Sequence, residues 1–407
     1  MGCCFIAIGI PCDGFLRGFE NSGLIMILFA GAINFIQGNR WPKFTRESIF
    51  LISLFLLSIF GYFYANSIHE LNKKVGLKVL FLLFPIAFTY NLTINDAIKR
   101  LTILLFTTIT AILAFLSCLR YFLHYQEYNI LIEQSKPIEI IGGTMHIYFS
   151  VIMAIAVFLG LHLIIRGMKI SLENAWDRLI FIGVIINILA LHILSARTGL
   201  FAFYSALLVV LIRYSIINKR FKMLFGGLFV IFLFPTIMYL AVPSVKNRLN
   251  NTYEDLNRYF TGDYVGYFSI SGRFETWKAA YHIFEDHPIF GVGAGDLQEA
   301  IEAQYKIDNT RLMREETLPN CHNQYLETLA AHGLIGFFFF ITLFVLLIQR
   351  IKYLPVNNYI LLAFVTIFVS ALMVESLFER QAGITLFLFV FYLIKNNANC
   401  KCKIAVN

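Results

Sequence analysis

The chain has 407 residues, of which 58% are hydrophobic and 14% charged, and its net charge is +8. Soluble globular domains carry about 25% charged residues, so this composition, with a mean hydropathy of +0.70, excludes a soluble core. The positive excess is no nucleic-acid signal, because membrane proteins collect surplus Lys and Arg in cytoplasmic loops.

Twelve apolar segments follow one another, near 1–17, 22–38, 48–66, 76–93, 100–124, 144–166, 179–196, 199–217, 222–242, 325–349, 358–376 and 380–395. About twenty apolar residues cross a bilayer as a helix. The expected fold is therefore all-α, a polytopic membrane protein with about twelve transmembrane helices. The first segment is short and interrupted by Pro11 and Asp13, so it reads as a half-span or as a late start. No cleavable signal peptide is expected, and "MGCC" reads as an ordinary membrane N-terminus rather than a lipidation site.

Every second connection is basic: "GNRWPKFTRE", "NDAIKR", "RGMKISLENAWDR", "RYSIINKRFK", "QRIKY" and the tail "KNNANCKCK". The others are poorer in Lys and Arg or balanced by acids, with "NKKVGLK" at 72–78 the exception. The positive-inside rule then places both termini in the cytoplasm and the stretch 243–321 outside. Three parts follow: a bundle of about nine spans over 1–242, a large outer loop over 243–321, and closing helices with a cytoplasmic tail over 322–407. A loop this long usually carries function. Its "GRFETWKAAYHIF" has a helical period, "EDHPIFGVGAGD" is turn-rich, and a polar helix-like run continues to Arg314.

Three places on the outer side can do chemistry. In "LSARTGLFAF", Arg197 interrupts apolar sequence between two spans, with Thr198-Gly199 as a tight link. From position alone it reads equally as an arginine snorkelling to water or as a binding group whose burial costs roughly 2.5–3.5 kcal/mol unless paired. In "SISGRFETWKAA", Ser271-Gly272 starts a helix and Arg273 stands in its first turn. A cation is unfavourable there. Either a bound anion offsets that cost, or Arg273 pairs with Glu275 or Asp286. In "LPNCHNQYLETLAAHGLIGFFFF", Pro319-Asn320 caps a helix beginning near His322. The helix dipole disfavours imidazolium, leaving His322 able to accept a proton. Considered alone, it also reads as a polar interfacial histidine. Gly333 and Gly336 share a face and permit close helix packing.

Weaker signals are read as structure. "GVGAGD" at 291–296 lacks the dinucleotide spacing and is a turn. His332 is structural. Glu375, Glu379 and Arg380 form an outward charged turn that pairs internally or holds Arg197 or Arg273. No D-x-D or carboxylate cluster in the outer loop suits a divalent metal. The cysteines suggest no zinc site, with Cys321 alone in a loop and Cys400 and Cys402 in the tail.

Taken together, "SARTG", "SGRFETWKAA…HPIFGVGAGD" and "HNQYLETLAAHGLIG" occur in that order on one membrane side. The chain resembles the O-antigen ligase and polymerase family of bacterial membrane glycosyltransferases. The family pattern is His, then Asn/Ser/Gln, nine residues, Gly, two residues, Gly, met here by His322, Asn323, Gly333 and Gly336. The resemblance implies a GT-C-like enzyme of the inner membrane with its active site facing the periplasm. It implies a donor glycan on undecaprenyl pyrophosphate and an acceptor hydroxyl on lipid A-core or another glycan. No cofactor, metal or nucleic acid is implied. Arg197 and Arg273 would hold the pyrophosphate, whose growing charge two guanidinium forks suit. His322 would be the general base of an inverting displacement, and Asn323 would orient the imidazole or the acceptor. A ligase is the leading reading, with a polymerase on the same donor as the alternative. A transporter of lipid-linked sugars is the reading from another class.

Overall fold

The computed structural model describes residues 1–38, 44–89, 94–165, 175–262, 270–308, 320–352 and 359–395. Most of the basic stretch 166–178, the run to Arg314, Pro319, Cys400 and Cys402 lie outside those residues. The described residues are helical throughout, without a strand, and each of the twelve apolar segments carries a helix. Among the described residues, eight helical stretches, the first of them Gly2–Gln37, are long and apolar enough to cross a membrane, and two shorter apolar helices, Tyr359–Val374 and Gln381–Lys395, follow. The protein is an all-α, multi-pass membrane protein.

The first segment resolves as half of a hairpin. Gly2–Gly9 ends in a 3-10 turn at Ile10–Cys12 that holds Pro11, and Asp13–Gly38 follows with a kink at Leu16. A side chain on Gly9 would collide with Glu20, and one on Gly23 would lie 2.6 Å from the Gly2 carbonyl. The two helices therefore run antiparallel at backbone contact, an approach that small residues permit in a bilayer. Between the spans, His146–Ile165 is the most enclosed, buried from Tyr148 to Gly160 without a break. Phe221–Ala241 is the opposite, with only Met238 buried and a single half-buried stripe turned to the neighbouring helices.

The described residues that flank the basic connections meet at one end. There Arg100 pairs with Asp177 at 2.6 Å, and Arg350 and Lys395 reach Glu47 at 3.0 and 3.6 Å. The intervening connections meet at the other end, under a helical cap. The cap comprises Pro243–Thr261, Ser271–Asp286 and Leu297–Ile307. Ala279, Ala280, Ile283, Leu297, Ile301 and Tyr305 bury a small core against Ala330 and Ala331. On this water-facing end the hydrophobic effect operates in full, about 1.5–3 kcal/mol for each Ile or Leu buried.

One device ties cap to membrane helix. Gln324–Lys352 is broken at Gly333, whose φ of 59° and ψ of −160° no helix contains. The carbonyls orphaned before the break, Ala330 and Ala331, accept from the N–H groups of Val292 and Gly293 at 2.9 Å. The N–H groups after it, Leu334 and Ile335, donate to the carbonyls of Pro288 and Ile289 at 2.8 and 3.3 Å. The turn 288–293 thus supplies backbone partners that the interrupted helix has lost. The glycine pair therefore does not form a packing seam on one continuous face. Gly333 makes the break, and Gly336 sits where a Cβ would strike His332 of the same segment at 2.2 Å. "GVGAGD" is a turn, as expected, with Gly291 and Gly293 in the left-handed region.

Candidate active site

Three helix starts converge beneath the cap. The link between two spans is Leu194–Ala196, and the helix Arg197–Ile217 opens on Arg197 itself, with Ala196 providing no side-chain cap. Thr198 and Gly199 thus belong to the first turn rather than to the link, and Gly199 lies against Ser150. Arg197 reaches back to the Arg248 carbonyl at 3.4 Å. Arg273 is the third residue of Ser271–Asp286. That helix start is closed by a protein carboxylate rather than left for a free anion. Buried Asp255 accepts from the N–H groups of Ile270 and Ser271 at 2.9 and 3.3 Å, and from the Ser271 hydroxyl at 2.5 Å.

His322 stands just outside the third helix, which begins at Gln324, close to the expected start. Its φ of 45° is left-handed, a conformation costing of order 1–3 kcal/mol in a non-glycine residue and frequent at functional sites. Asn320 fixes this geometry by accepting the His322 N–H at 3.1 Å. Asn323 does not orient the imidazole. Its side-chain oxygen caps the helix, accepting from Tyr325 and Leu326 at 3.0 and 3.2 Å.

Glu375 positions the ring instead. His322 Nδ1 lies 2.9 Å from Glu375 Oε2, and Arg273 Nη2 lies 3.6 Å from the same oxygen. A carboxylate only accepts, so Nδ1 carries the hydrogen, and in the neutral ring Nε2 holds the lone pair. This tautomer is what a base needs. The turn 375–380 therefore holds Arg273, one of its two expected partners. Glu275 takes the Tyr259 hydroxyl at 2.9 Å instead. Arg380 does not join Glu375. It lies over the Tyr148 ring, 6.0 Å from its centre.

The geometry also recruits groups that no motif marks. Arg248 adjoins Arg197, and His146 lies in the field of Arg197, Arg248, Arg273 and Glu375. Burial, then Arg197, pushes the Arg248 guanidinium down to about 10. Burial also lowers Arg273, with Glu375 opposing. All three arginines remain charged at neutral pH, and they face two carboxylates, Asp255 and Glu375. The signal for Arg248 and His146 is tertiary: one is the sixth residue of a polar helix, the other opens a span.

Behind the pair lies a second ionic cluster, which explains the "NKKVGLK" exception. Lys74 and Lys78 bond Glu379 at 2.8 and 2.6 Å, and Lys78 also donates to the Phe378 carbonyl at 2.7 Å. Glu327 accepts the Cys321 N–H at 2.7 Å and the Ser376 hydroxyl at 3.1 Å. Burial opposes charge on Glu379, but Lys74 and Lys78 outweigh it and hold the carboxyl well below its usual range. A depressed carboxyl stabilises above its unfolded value and loses that contribution as pH falls. Melting temperature in detergent is therefore expected to hold from neutral to about pH 5 and to fall below about pH 4. Glu379→Gln should lower the neutral value and flatten that acid limb.

Fold and site define a multi-pass membrane protein with a carboxylate–imidazole pair and an arginine cluster at one end of its helices. Residues 182–341, spanning Arg197, Arg273 and His322, match the family described as O-antigen ligase. Within that stretch the chain is similar to the family's domain, and the match supports a membrane enzyme of the ligase and polymerase type. The chain is also 26% identical over 354 residues to an uncharacterized protein of Haemophilus influenzae, covering 84% of this chain and 81% of that one.

Proposed function

We propose that the protein transfers a glycan from undecaprenyl pyrophosphate to an acceptor hydroxyl, as an O-antigen ligase acting on lipid A-core. In this reading, the spans of 1–242 and 322–407 form the frame, 243–321 is the periplasmic cap, and both termini are cytoplasmic. The observation that carries it is the His322–Glu375 pair set beside Arg273, Arg197 and Arg248.

The step is a single displacement. His322 Nε2 takes the acceptor proton as the hydroxyl oxygen attacks the anomeric carbon. The bond from that carbon to the phosphate oxygen breaks, its electron pair leaves with the pyrophosphate, and the configuration inverts. Glu375 stabilises the imidazolium formed. Negative charge growing on the leaving oxygens is met by guanidinium groups fixed in advance. Arginine suits the task because it stays protonated and donates in a bidentate fork.

The anion site is testable apart from turnover. Inorganic pyrophosphate at about a hundred times its dissociation constant should stabilise the purified protein by about 2.7 kcal/mol. The shift should vanish in Arg197→Gln and Arg273→Gln. Transfer from a lipid-pyrophosphate donor to lipid A-core should proceed at an unchanged rate with EDTA. A deletion strain separates the roles: long glycan retained on the lipid carrier supports the ligase, and single repeats on the core would make the protein a polymerase. Translocation of donor across vesicles without transfer to any acceptor would overturn the enzyme reading.

A further inference from the structure

The helix Pro243–Thr261 is built inside out for a helix in water. Its inner face is polar. Ser244, Asn251 and Asp255 are buried there. Ser244 donates to the Ile193 carbonyl at 2.6 Å, Asn251 donates to the Ile132 carbonyl, and Asp255 closes the helix start of Arg273. Tyr253 is about two and a half turns past Ser244, so the two point to opposite sides. On that outer side stand Leu249, Tyr253 and Phe260, 51, 71 and 77% exposed. Val245 and Leu256, both half-buried, fall in line with them. The five are three or four residues apart and form one stripe.

Single apolar residues at a surface are ordinary, but a continuous stripe marks an interaction site. Its place in the fold says with what. The span Phe221–Ala241 ends one residue before the helix begins. That residue, Val242, is extended at φ −120° and ψ 108°, so the chain turns off the line of the span. Pro243 then opens a new helix that keeps touching span ends. Ser244 is bonded to Ile193, the last residue of Ala175–Ile193. The Arg248 carbonyl accepts from Arg197, the first residue of Arg197–Ile217. Asn251 is bonded to Tyr125–Glu133, which starts one residue after Asp96–Leu123. With its polar face on these elements, the helix lies across the edge of the bundle, beside the bilayer that the spans cross.

We infer that Pro243–Thr261 is an interfacial helix. The stripe from Val245 to Phe260 is seated in the leaflet on the cap's side, at the boundary of headgroups and acyl chains. Helices with one apolar and one polar face bind there. Tyr253 suits the place, with an apolar ring and a hydroxyl that stays wet. Exposed Lys246 borders the stripe, and its long stem carries the ammonium to lipid phosphates. Part of the cap is thereby held by lipid. Arg248 and Asp255 belong to the same helix, so the bilayer also sets the depth of the arginine cluster. The inference needs the membrane spans and not the glycosyltransferase reading.

Nitroxide accessibility in lipid vesicles tests it on the full-length protein. Cys400 and Cys402 are replaced by Ser, leaving five native cysteines that are buried or half-buried. A single label is then introduced on the stripe by Leu249→Cys, Tyr253→Cys or Phe260→Cys, and beside it by Asn250→Cys or Asn257→Cys. Oxygen concentrates in the bilayer, and a nickel chelate stays in water. Relative to nickel, stripe labels should collide with oxygen several times more often than labels at the two asparagine positions. Stripe labels as open to nickel as those at 250 and 257 would overturn the proposal, because the stripe would lie in water. Stripe labels shielded from both reagents would overturn it too, because protein, a second copy included, would cover the stripe. The native protein provides an independent check. A carbene precursor dissolved in the bilayer should mark Leu249, Tyr253 or Phe260 on photolysis. A helix 243–261 that takes no such label would overturn the proposal whatever the variants show.

Discussion

His322→Ala is expected to lower glycan transfer by about 10²–10⁴-fold, the usual contribution of a positioned general base, with normal membrane insertion. Glu375→Gln should come close to it for a different reason. An amide at Oε2 can present N–H to Nδ1, turning the ring to the tautomer whose Nε2 carries a hydrogen. The loss of a carboxylate behind a catalytic histidine has cost about 10⁴-fold elsewhere. Glu375→Gln should also weaken the hold on Arg273, which shares Oε2. The two losses should therefore not add. The double variant should transfer no more slowly than His322→Ala by more than a few-fold, because members of one catalytic unit are not independent. Initial rates on a lipid-pyrophosphate donor, normalised to protein in the membrane, measure this. Native-level transfer by His322→Ala would remove the base assignment.

Gly333→Ala is expected to be the most damaging small substitution for folding. The backbone there has φ 59° and ψ −160°, a region essentially reserved for glycine and worth about 1–3 kcal/mol of strain to other residues. The new Cβ would also lie 2.3 Å from the Ile289 carbonyl oxygen, pushing away the turn that completes the broken helix. Together these consume much of a typical stability of about 5–15 kcal/mol. The variant should fail to accumulate or melt far below the native protein. Gly226→Ala provides the control, since nothing lies within 4 Å of its added Cβ. Equal abundance of the two variants would contradict the role given to the break.

The fold was legible because its signal is local. A run of apolar residues reports a helix wherever it packs, and the alternation of basic connections reports which ends meet. Arg197, Arg273, His322, Gly333 and Gly336 were legible through their motifs. What each residue does was less so. Asn323 reads as a partner of His322 because it is adjacent, yet its oxygen points at the helix start. Glu375 lies more than fifty residues downstream, and only the return of the chain puts it on Nδ1. Paired glycines three apart signal a seam if the helix is continuous, and nothing local announces that it breaks between His332 and Leu334. Arg248 and Asp255 carry no spacing at all. Their roles come from the cap folding over the helix ends. The lysines of "NKKVGLK" mislead for the same reason, because a topology count sees charge before it sees the acids that neutralise it.

The splice between the turn 288–293 and the broken helix has a consequence for how anything enters. Four backbone hydrogen bonds cross it, two on each side of Gly333. Lifting the roof would strand those amides at the membrane edge, where an unsatisfied group costs several kcal/mol. A roof so fastened is a poor door. On the proposed function, the donor reaches the arginine cluster sideways, between helices and through the lipid, where its isoprenoid tail already lies.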